Sequence, residues 1–370
     1  MTIKEQVNDK EAICILIIFT LGSTILTGIA GEAENDKWFA GVIGLLIAMP
    51  MILIYARILH IFRGRDIFDI LVLLFGQIGG RVIALFFFWY CFHLGALVTR
   101  NFGEFINVVA LPETPMMVPM LAVGLLAVYA VVKGIEVIGR TSAYILPITL
   151  AILIMVQLLA IPEMSFSNLK PFLGTDTSTL LKSSFSSFSF PFAESVLFLG
   201  VFFTLKTKKS PYKVYFTGLS IAGALIIVIT ARNTLILGDV GNSFFFPSYV
   251  AVSGISIGEF IQRIEVSVAF VLAVGSFIKI SICLYVAVNI LAKVFKLRDY
   301  RTIVLQTGLI MVFMGHILYK STMDMQDWAI KIYPFYAFPF QVILPIVVWI
   351  LSEVKKKKFS SQKDTQNMLE

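Results

Sequence analysis

The chain has 370 residues, of which 58% are hydrophobic and only 14% charged. A soluble domain carries about 25% charged residues, so the composition excludes an ordinary soluble enzyme or binding domain and points to an all-α polytopic membrane protein. The net charge of +7 does not indicate a nucleic-acid partner, because most of the excess sits in short loops and in the run Lys355, Lys356, Lys357, Lys358, the pattern of cytoplasmic segments at a lipid bilayer.

Apolar runs of about 20 residues suffice to cross a ~30 Å hydrocarbon layer. They predict ten transmembrane helices, at 12–31, 38–59, 82–103, 116–133, 142–161, 183–204, 213–238, 264–292, 302–319 and 333–352. The first run begins near Ala12 and is long enough to remain as a span, so no cleaved leader is expected. With the N-terminus in the cytoplasm, the inner segments and their margins hold 21 of the 30 Lys and Arg residues, the outer ones six and the spans three. This asymmetry puts both termini inside and favours an even number of spans. A single transmembrane domain is expected, followed by a basic cytoplasmic tail over 353–370. Two outer loops are long, 162–182 and about 239–263. The second, GDVGNSFFFPSYVAVSGISIGEFIQR, is too apolar to be fully solvated and is expected to lie partly helical on the outer surface as a lid or plug.

Two spans break the rules for a membrane helix. Span 1 contains FTLGSTILTG, with Gly22, Ser23 and Thr24 near its centre. Glycine weakens a helix, and serine and threonine offer its backbone other partners. Span 6 contains SFSFPFAES, residues 187–195. Ser189, Phe190 and Pro191 precede Glu194, and proline removes a helical hydrogen bond and clashes with the preceding turn. Interruptions are tolerated only where protein or trapped water satisfies the freed backbone groups. Spans 1 and 6 are five apart, which suggests a 5+5 inverted repeat, about 10–161 and 183–352, with a mid-membrane site between the broken helices. Close packing of small residues in span 1, and a Glu194 that merely locks span 6 to a neighbour, are the structural alternatives. Glu194 could be ionised beside a cation, or protonated and hydrogen-bonding.

Lys279 lies mid-span in VGSFIKISICLYV and should face a cavity or a carboxylate. It reads as a fixed cation, as a titrating group, or as an ion pair tying span 8 to span 1 or 5. Tyr90 and His93 are three residues apart and share a face of span 3; His93 reads as a bonded interior histidine or as a ligand. Arg100 and Glu104 can pair at i, i+4. Arg263 and Glu265 look like an interface anchor at the start of span 8. Arg232 lies near the outer end of span 7, where arginine can snorkel. Cys14, Cys91 and Cys283 all fall in apolar runs and read as small buried residues. No metal-ligand spacing, disulfide framework, nucleophile elbow or phosphate loop is present, so no catalytic residue, metal or cofactor is expected and the chain is not read as an enzyme.

Three stretches resemble the spore germination permease family, the B subunits of nutrient germinant receptors within the amino acid–polyamine–organocation superfamily. They are NLKPFLG at 168–174, FPFAESVLFL at 190–199 and IQRIEVSVAF at 261–270. Ala193 stands where the family commonly has glycine before the glutamate. The resemblance implies a leucine-transporter-like fold with spans 1 and 6 unwound, residence in the spore inner membrane, and assembly with two other receptor subunits, a membrane subunit with soluble domains and a lipoprotein. It implies that a small nutrient of the amino acid or sugar class binds and starts germination. The expected ligand-binding residues are Gly22, Ser23, Thr24, Tyr90, His93, Ser189, Phe190, Pro191, Glu194 and Lys279. A proton-coupled amino-acid transporter working through Glu194 or Lys279 is the alternative, and a conduit for ions or water is a third reading.

Overall fold

The computed structural model describes residues 6–22, 24–255 and 264–367. Ser23 and Arg263 lie outside the described residues. The helices run in chain order α1 (Asp9–Leu21), α2 (Thr24–Thr27), α3 (Lys37–Ile61), α4 (Ile67–Val109), α5 (Met117–Lys133), α6 (Ile135–Ala160), α7 (Thr177–Ser187), α8 (Ser210–Leu237), α9 (Pro247–Ser253), α10 (Glu265–Val294), α11 (Val304–Ile317), α12 (Thr322–Asp327), α13 (Tyr333–Phe338) and α14 (Leu344–Asn367).

Among the described residues, six helical stretches are long and apolar enough to cross a membrane: Gly31–Ile61, Ile67–Val109, Ile135–Glu163, Ser210–Ser243, Glu265–Val294 and Thr322–Lys355. α5 is a shorter apolar helix. The remaining expected spans fall on short or interrupted pieces: α1 with α2, α7 with the segments that follow it, and α11. The expected third span, 82–103, lies within the part of α4 that follows a break at Gly76, and a separate helical segment precedes it from Ile67. Asp66 caps that helix by accepting a bond from the Asp69 N–H at 3.1 Å. That first segment stops in the polar, glycine-rich GQIGGR: Gly76 takes φ 80° and ψ 176°, outside any helical conformation, and the chain turns back so that Gly80 lies against the backbone of Leu71 and Val72.

α10 is the central helix, buried on nearly every side. It packs against α4, α5, α6 and α1, while α8 packs against α3 and α1. Large apolar side chains such as Leu53, Phe86, Tyr144 and Phe313 face outward, and Glu194, Lys279 and Gln341 are fully buried. That is the arrangement a hydrocarbon solvent selects, with polar groups turned toward protein partners.

The long loop before span 6 is a strap. In NLKPFLG, Asn168 donates its amide to the Leu235 carbonyl at the end of α8 (2.9 Å). Asp36, just before α3, accepts from the backbone N–H groups of Leu173 (2.9 Å) and Thr175 (3.0 Å). The motif thus joins the ends of α3 and α8 on one face of the bundle. In the second long loop, Pro247–Ser253 is helical and packs against α8 and α10.

Candidate functional site

Both expected interruptions are present. α1 ends at Leu21, and Gly22 has φ 3° and ψ −120°, outside any helical conformation. In span 6, α7 ends at Ser187 and a wide π-type turn covers Phe188–Phe192. Phe190 is extended there (φ −127°, ψ 116°), as expected for a residue forced out of the helical region by the proline after it. A tight 3-10 segment, Ala193–Gly200, continues the span. The last span is also irregular. Wide π-type turns occupy Trp328–Ile332 and Pro339–Ile343, and Pro334 and Pro339 each withhold a backbone donor there. Wide turns of this kind are rare and concentrate at functional sites.

The irregular segments converge on one buried polar cluster. Glu194 accepts from the Lys279 ammonium through Oε2 and from the Tyr333 hydroxyl through Oε1 at 2.5 Å. Tyr333 Oη lies 3.4 Å from Tyr90 Oη. Gln341 Nε2 donates to Tyr90 Oη (3.0 Å) and to the Ser189 carbonyl (2.9 Å). The Ser189 hydroxyl donates back to Gln341 Oε1 at 2.9 Å, and Tyr55 donates to the Gln341 carbonyl at 2.5 Å. Because Gln341 already donates to Tyr90, the Tyr90 proton is free to point at Tyr333, and that of Tyr333 points at Glu194. The donors therefore all run toward the carboxylate, the arrangement an ionised acid beside an ammonium requires. Two ring faces, Phe190 at 4.9 Å and Phe19 at 5.2 Å, flank the Lys279 ammonium and add cation–π attraction.

The partner of Lys279 is on span 6, not on span 1 or 5. It reaches Glu194 across the break in span 1. A side chain at Gly22 would meet Lys279 Cδ at 3.2 Å and its own Phe19 carbonyl at 2.9 Å. One helical turn before Lys279, Gly275 lies against the Gly22 backbone. The bare backbones of α1 and α10 touch at this point, and that contact sets the depth of the lysine.

A cavity of about 100 Å³ adjoins the cluster. Glu194, Phe190 and Tyr333 line it, together with Leu97, Val98 and Asn101 of α4 and with Thr27, Gly28 and Gln326. Of the expected ligand-binding residues, Phe190 and Glu194 line it. Lys279 stands behind Glu194, and Tyr90 and Ser189 belong to the hydrogen-bonded cluster but not to the lining. Pro191 is buried at the break. The Thr24 hydroxyl is turned onto the Thr20 carbonyl at 2.9 Å. His93 is held among aromatic rings, stacked on Trp89 and edge-on to Trp328 and Tyr336, away from the carboxylate. Sequence reasoning missed Tyr333, Gln341, Asn101 and Gln326. Gln341 carried a usable signal, being an amide inside an otherwise apolar span. Arg100 and Glu104 do pair (2.7 Å), with Arg100 also donating to the His316 carbonyl at 2.7 Å.

The family model for spore germination proteins of the spore permease type matches residues 6–324. The chain belongs to the spore germination permease family. Among its relatives, Spore germination protein KB of Bacillus subtilis (strain 168) is 26% identical over 369 residues, covering 97% of this chain and 98% of that protein. Spore germination protein XB of Bacillus anthracis is 21% identical and covers 72% of this chain and 75% of its own length. Two solved structures share the fold. One is Mhp1, a nucleobase-cation-symport-1 family transporter in a closed conformation with bromovinylhydantoin bound. It has a TM-score of 0.66 at 14% identity over 92% of this chain and 78% of its own. The other is MhsT in complex with L-phenylalanine, with a TM-score of 0.59 at 12% identity over 93% of this chain and 88% of its own. This spore permease is a multi-pass membrane protein with an all-helical, leucine-transporter-like fold, and its relatives are not enzymes.

Proposed function

We propose that this spore permease is the membrane subunit of a nutrient germinant receptor and that a small nutrient occupies the cavity beside Glu194. The observation that carries the reading is that cavity, lined by Phe190 and Glu194 at the break of span 6, by residues 27–31 at the end of span 1, by α4 and by the last span. The bound nutrient favours one packing of the bundle by its differential affinity for the two states, and two further receptor subunits read that state in the spore inner membrane. Phe190, Glu194 and Tyr333 meet the ligand, while Lys279, Tyr90, Ser189 and Gln341 hold Glu194 in place.

Ten spans in two inverted halves complete the proposal, both termini and the basic tail from 353 lying in the cytoplasm. The contacts support this pairing. The packing of α1 on α6 has a counterpart in that of the broken sixth span on the last one. The packing of α1 on α8 has a counterpart in that of α7 on α3, and α5 with α10 in α11 with α4. A proton-coupled transporter is the second reading, favoured by the buried Lys279–Glu194 pair, two titratable groups where transporter folds hold coupling ions. Concentrative uptake of the nutrient by vesicles carrying the chain alone would select it.

Ala329 lines the cavity and is itself exposed, so its surroundings can take added bulk. Ala329→Leu is expected to raise the nutrient concentration for half-maximal germination at least tenfold with unchanged receptor abundance. An unchanged dose-response at equal abundance would place the nutrient elsewhere.

A further inference from the structure

A hollow of about 320 Å³, larger than the cavity beside Glu194, opens between α7 and the last span. Its two sides present the same ladder. On α7, Lys182 is followed three residues later by Phe185. On the last span, Lys331 is followed four residues later by Phe335. Three to four helical residues advance the chain by about 5–6 Å, so each ring lies one turn further into its span than the lysine. The expected spans begin just past these lysines, at 183 and 333. That puts both ammonium groups at the level of lipid headgroups, where lysine is favoured, and both rings at the edge of the hydrocarbon. The rings are 5.8 Å apart, and Phe335 is 70% exposed.

Polar groups line the hollow between these levels. Ser183 is 2% exposed, and its hydroxyl has no hydrogen-bond partner among the described residues. A buried hydroxyl left unpaired is uncommon and calls for a partner. The next residue, Ser184, shows the usual solution by donating to the Leu180 carbonyl at 2.7 Å. Ser186 adds a second hydroxyl to the lining. Lys331 pairs with Asp327 at 2.6 Å, but both side chains are 64% exposed. An exposed pair of this kind is worth little, so it leaves the ammonium able to take another anion.

The turn before α3 brings a carboxylate, Glu32, to the same hollow. The backbone on either side of it is strained. Ala30 (φ 55°, ψ 39°) and Glu34 (φ 46°, ψ −117°) both sit at positive φ, which non-glycine residues rarely adopt. Neighbours impose that shape. Asp36 is clamped by the backbone of Leu173 and Thr175, and Asn35 donates to Asp239 at 2.7 Å. Strain of this kind persists only where the surroundings over-determine it, so the turn carrying Glu32 is fixed against the strap that leads into α7.

We infer that this hollow binds one phospholipid with an ethanolamine headgroup. Lys182 and Lys331 take the phosphate, and Glu32 takes the ammonium. Ser183 and Ser186 donate to the ester carbonyls, and an acyl chain runs along Phe185, Pro334 and Phe335. Charge at one level and rings one turn deeper match the two levels of the lipid itself, and each headgroup charge meets its opposite. A glycerol headgroup would give Glu32 no cation, and a choline headgroup would give it no N–H to accept. Gly31, Ser186 and Ile330 also line the cavity beside Glu194, so the lipid lies against the wall of that cavity. The assignment does not depend on what that cavity holds.

The test uses the purified full chain in detergent, with lipids retained by it counted by native mass spectrometry. The probes are phosphatidylethanolamine, phosphatidylglycerol and phosphatidylcholine with identical acyl chains. One phosphatidylethanolamine is expected to bind at a concentration at least fivefold below that needed for either other lipid. Glu32→Gln should remove this preference, and Lys182→Ala combined with Lys331→Ala should lower retention at least fivefold. Lys170→Ala, on the strap outside the hollow, should change neither. On the unaltered chain, phosphatidylethanolamine with a photoreactive group near the top of its acyl chain should label the peptides holding Phe185 and Phe335. That mapping locates the lipid even if a variant does not fold. No retained lipid, equal retention of the three lipids as in a mere annulus, or preference for glycerol or choline would each overturn the assignment. So would labelling that misses both peptides, a preference that survives Glu32→Gln, or retention unchanged in the double lysine variant.

Discussion

Lys279→Met alone is expected to destabilise the chain by about 3–5 kcal/mol, the usual cost of leaving one member of a buried ion pair uncompensated. The Glu194 carboxylate is fully buried and would keep only the Tyr333 hydroxyl. Glu194→Gln should also destabilise, but less. The Phe19 and Phe190 ring faces remain beside the ammonium and offset up to about 2 kcal/mol of its lost partner. The double variant Lys279→Met with Glu194→Gln should recover most of the stability of the unaltered chain, since replacing a whole buried pair by neutral groups is often near neutral. It should not recover the germination response. Thermal unfolding of the four proteins in one detergent measures the first claim, and spore dose-response the second. Single variants as stable as the parent would mean that the two charges are not a pair.

Much of this cluster was legible before the structure, for identifiable reasons. Glu194 and Lys279 violate the cost of charge in hydrocarbon, so each had to face inward. Pro191 had to break its helix. Tyr90 followed from helical spacing with His93, but spacing alone could not say which of the two turns toward the carboxylate. The pairing of Glu194 with Lys279 joins residues 85 positions apart. It depends on how two helices are rotated against each other, which a single sequence does not encode locally. Tyr333 and Gln341 carry no charge, so the signal that exposed Glu194 was absent. The strained turn over 28–34 was the least legible part, because Ala30 and Glu34 are not residues that favour positive φ; tertiary clamping by Asp36 and Asn35 overrides their preference. NLKPFLG was noticed only as a resemblance, whereas its role as a strap between α3 and α8 appears once Asp36 and Leu235 are seen as its partners.

Gly275→Ala is expected to abolish the response to nutrient while lowering stability by about 1–3 kcal/mol. On an open helix face the same change would stabilise by roughly 0.5–1 kcal/mol, because glycine loses more backbone freedom on folding than alanine. At Gly275 the added carbon would lie 2.6 Å from the Gly22 Cα. That atom is main chain and cannot swing aside, so steric overlap outweighs the entropy gain and α10 must move away from the break in span 1. Lys279 is one turn further along α10 and moves with it, away from Glu194. Gly254, whose added carbon would meet no atom of the described residues within 4 Å, is the control: Gly254→Ala should leave the response unchanged and stability no lower. If Gly275→Ala behaved like that control, the contact between the α1 break and α10 would not set the geometry of the ion pair.

Occupancy of the Glu194 cavity by the nutrient is tested most directly by thiol protection. Asn101 lines that cavity on α4 and is partly buried, while Cys14, Cys91 and Cys283 are buried. In spore membranes carrying Asn101→Cys, a small thiol reagent should modify position 101. The nutrient that germinates the parent spores should slow that modification in proportion to its potency, with non-germinating analogues giving no protection. Modification at the same rate with and without saturating nutrient, in receptor of normal abundance, would show that the cavity beside Glu194 does not hold the ligand.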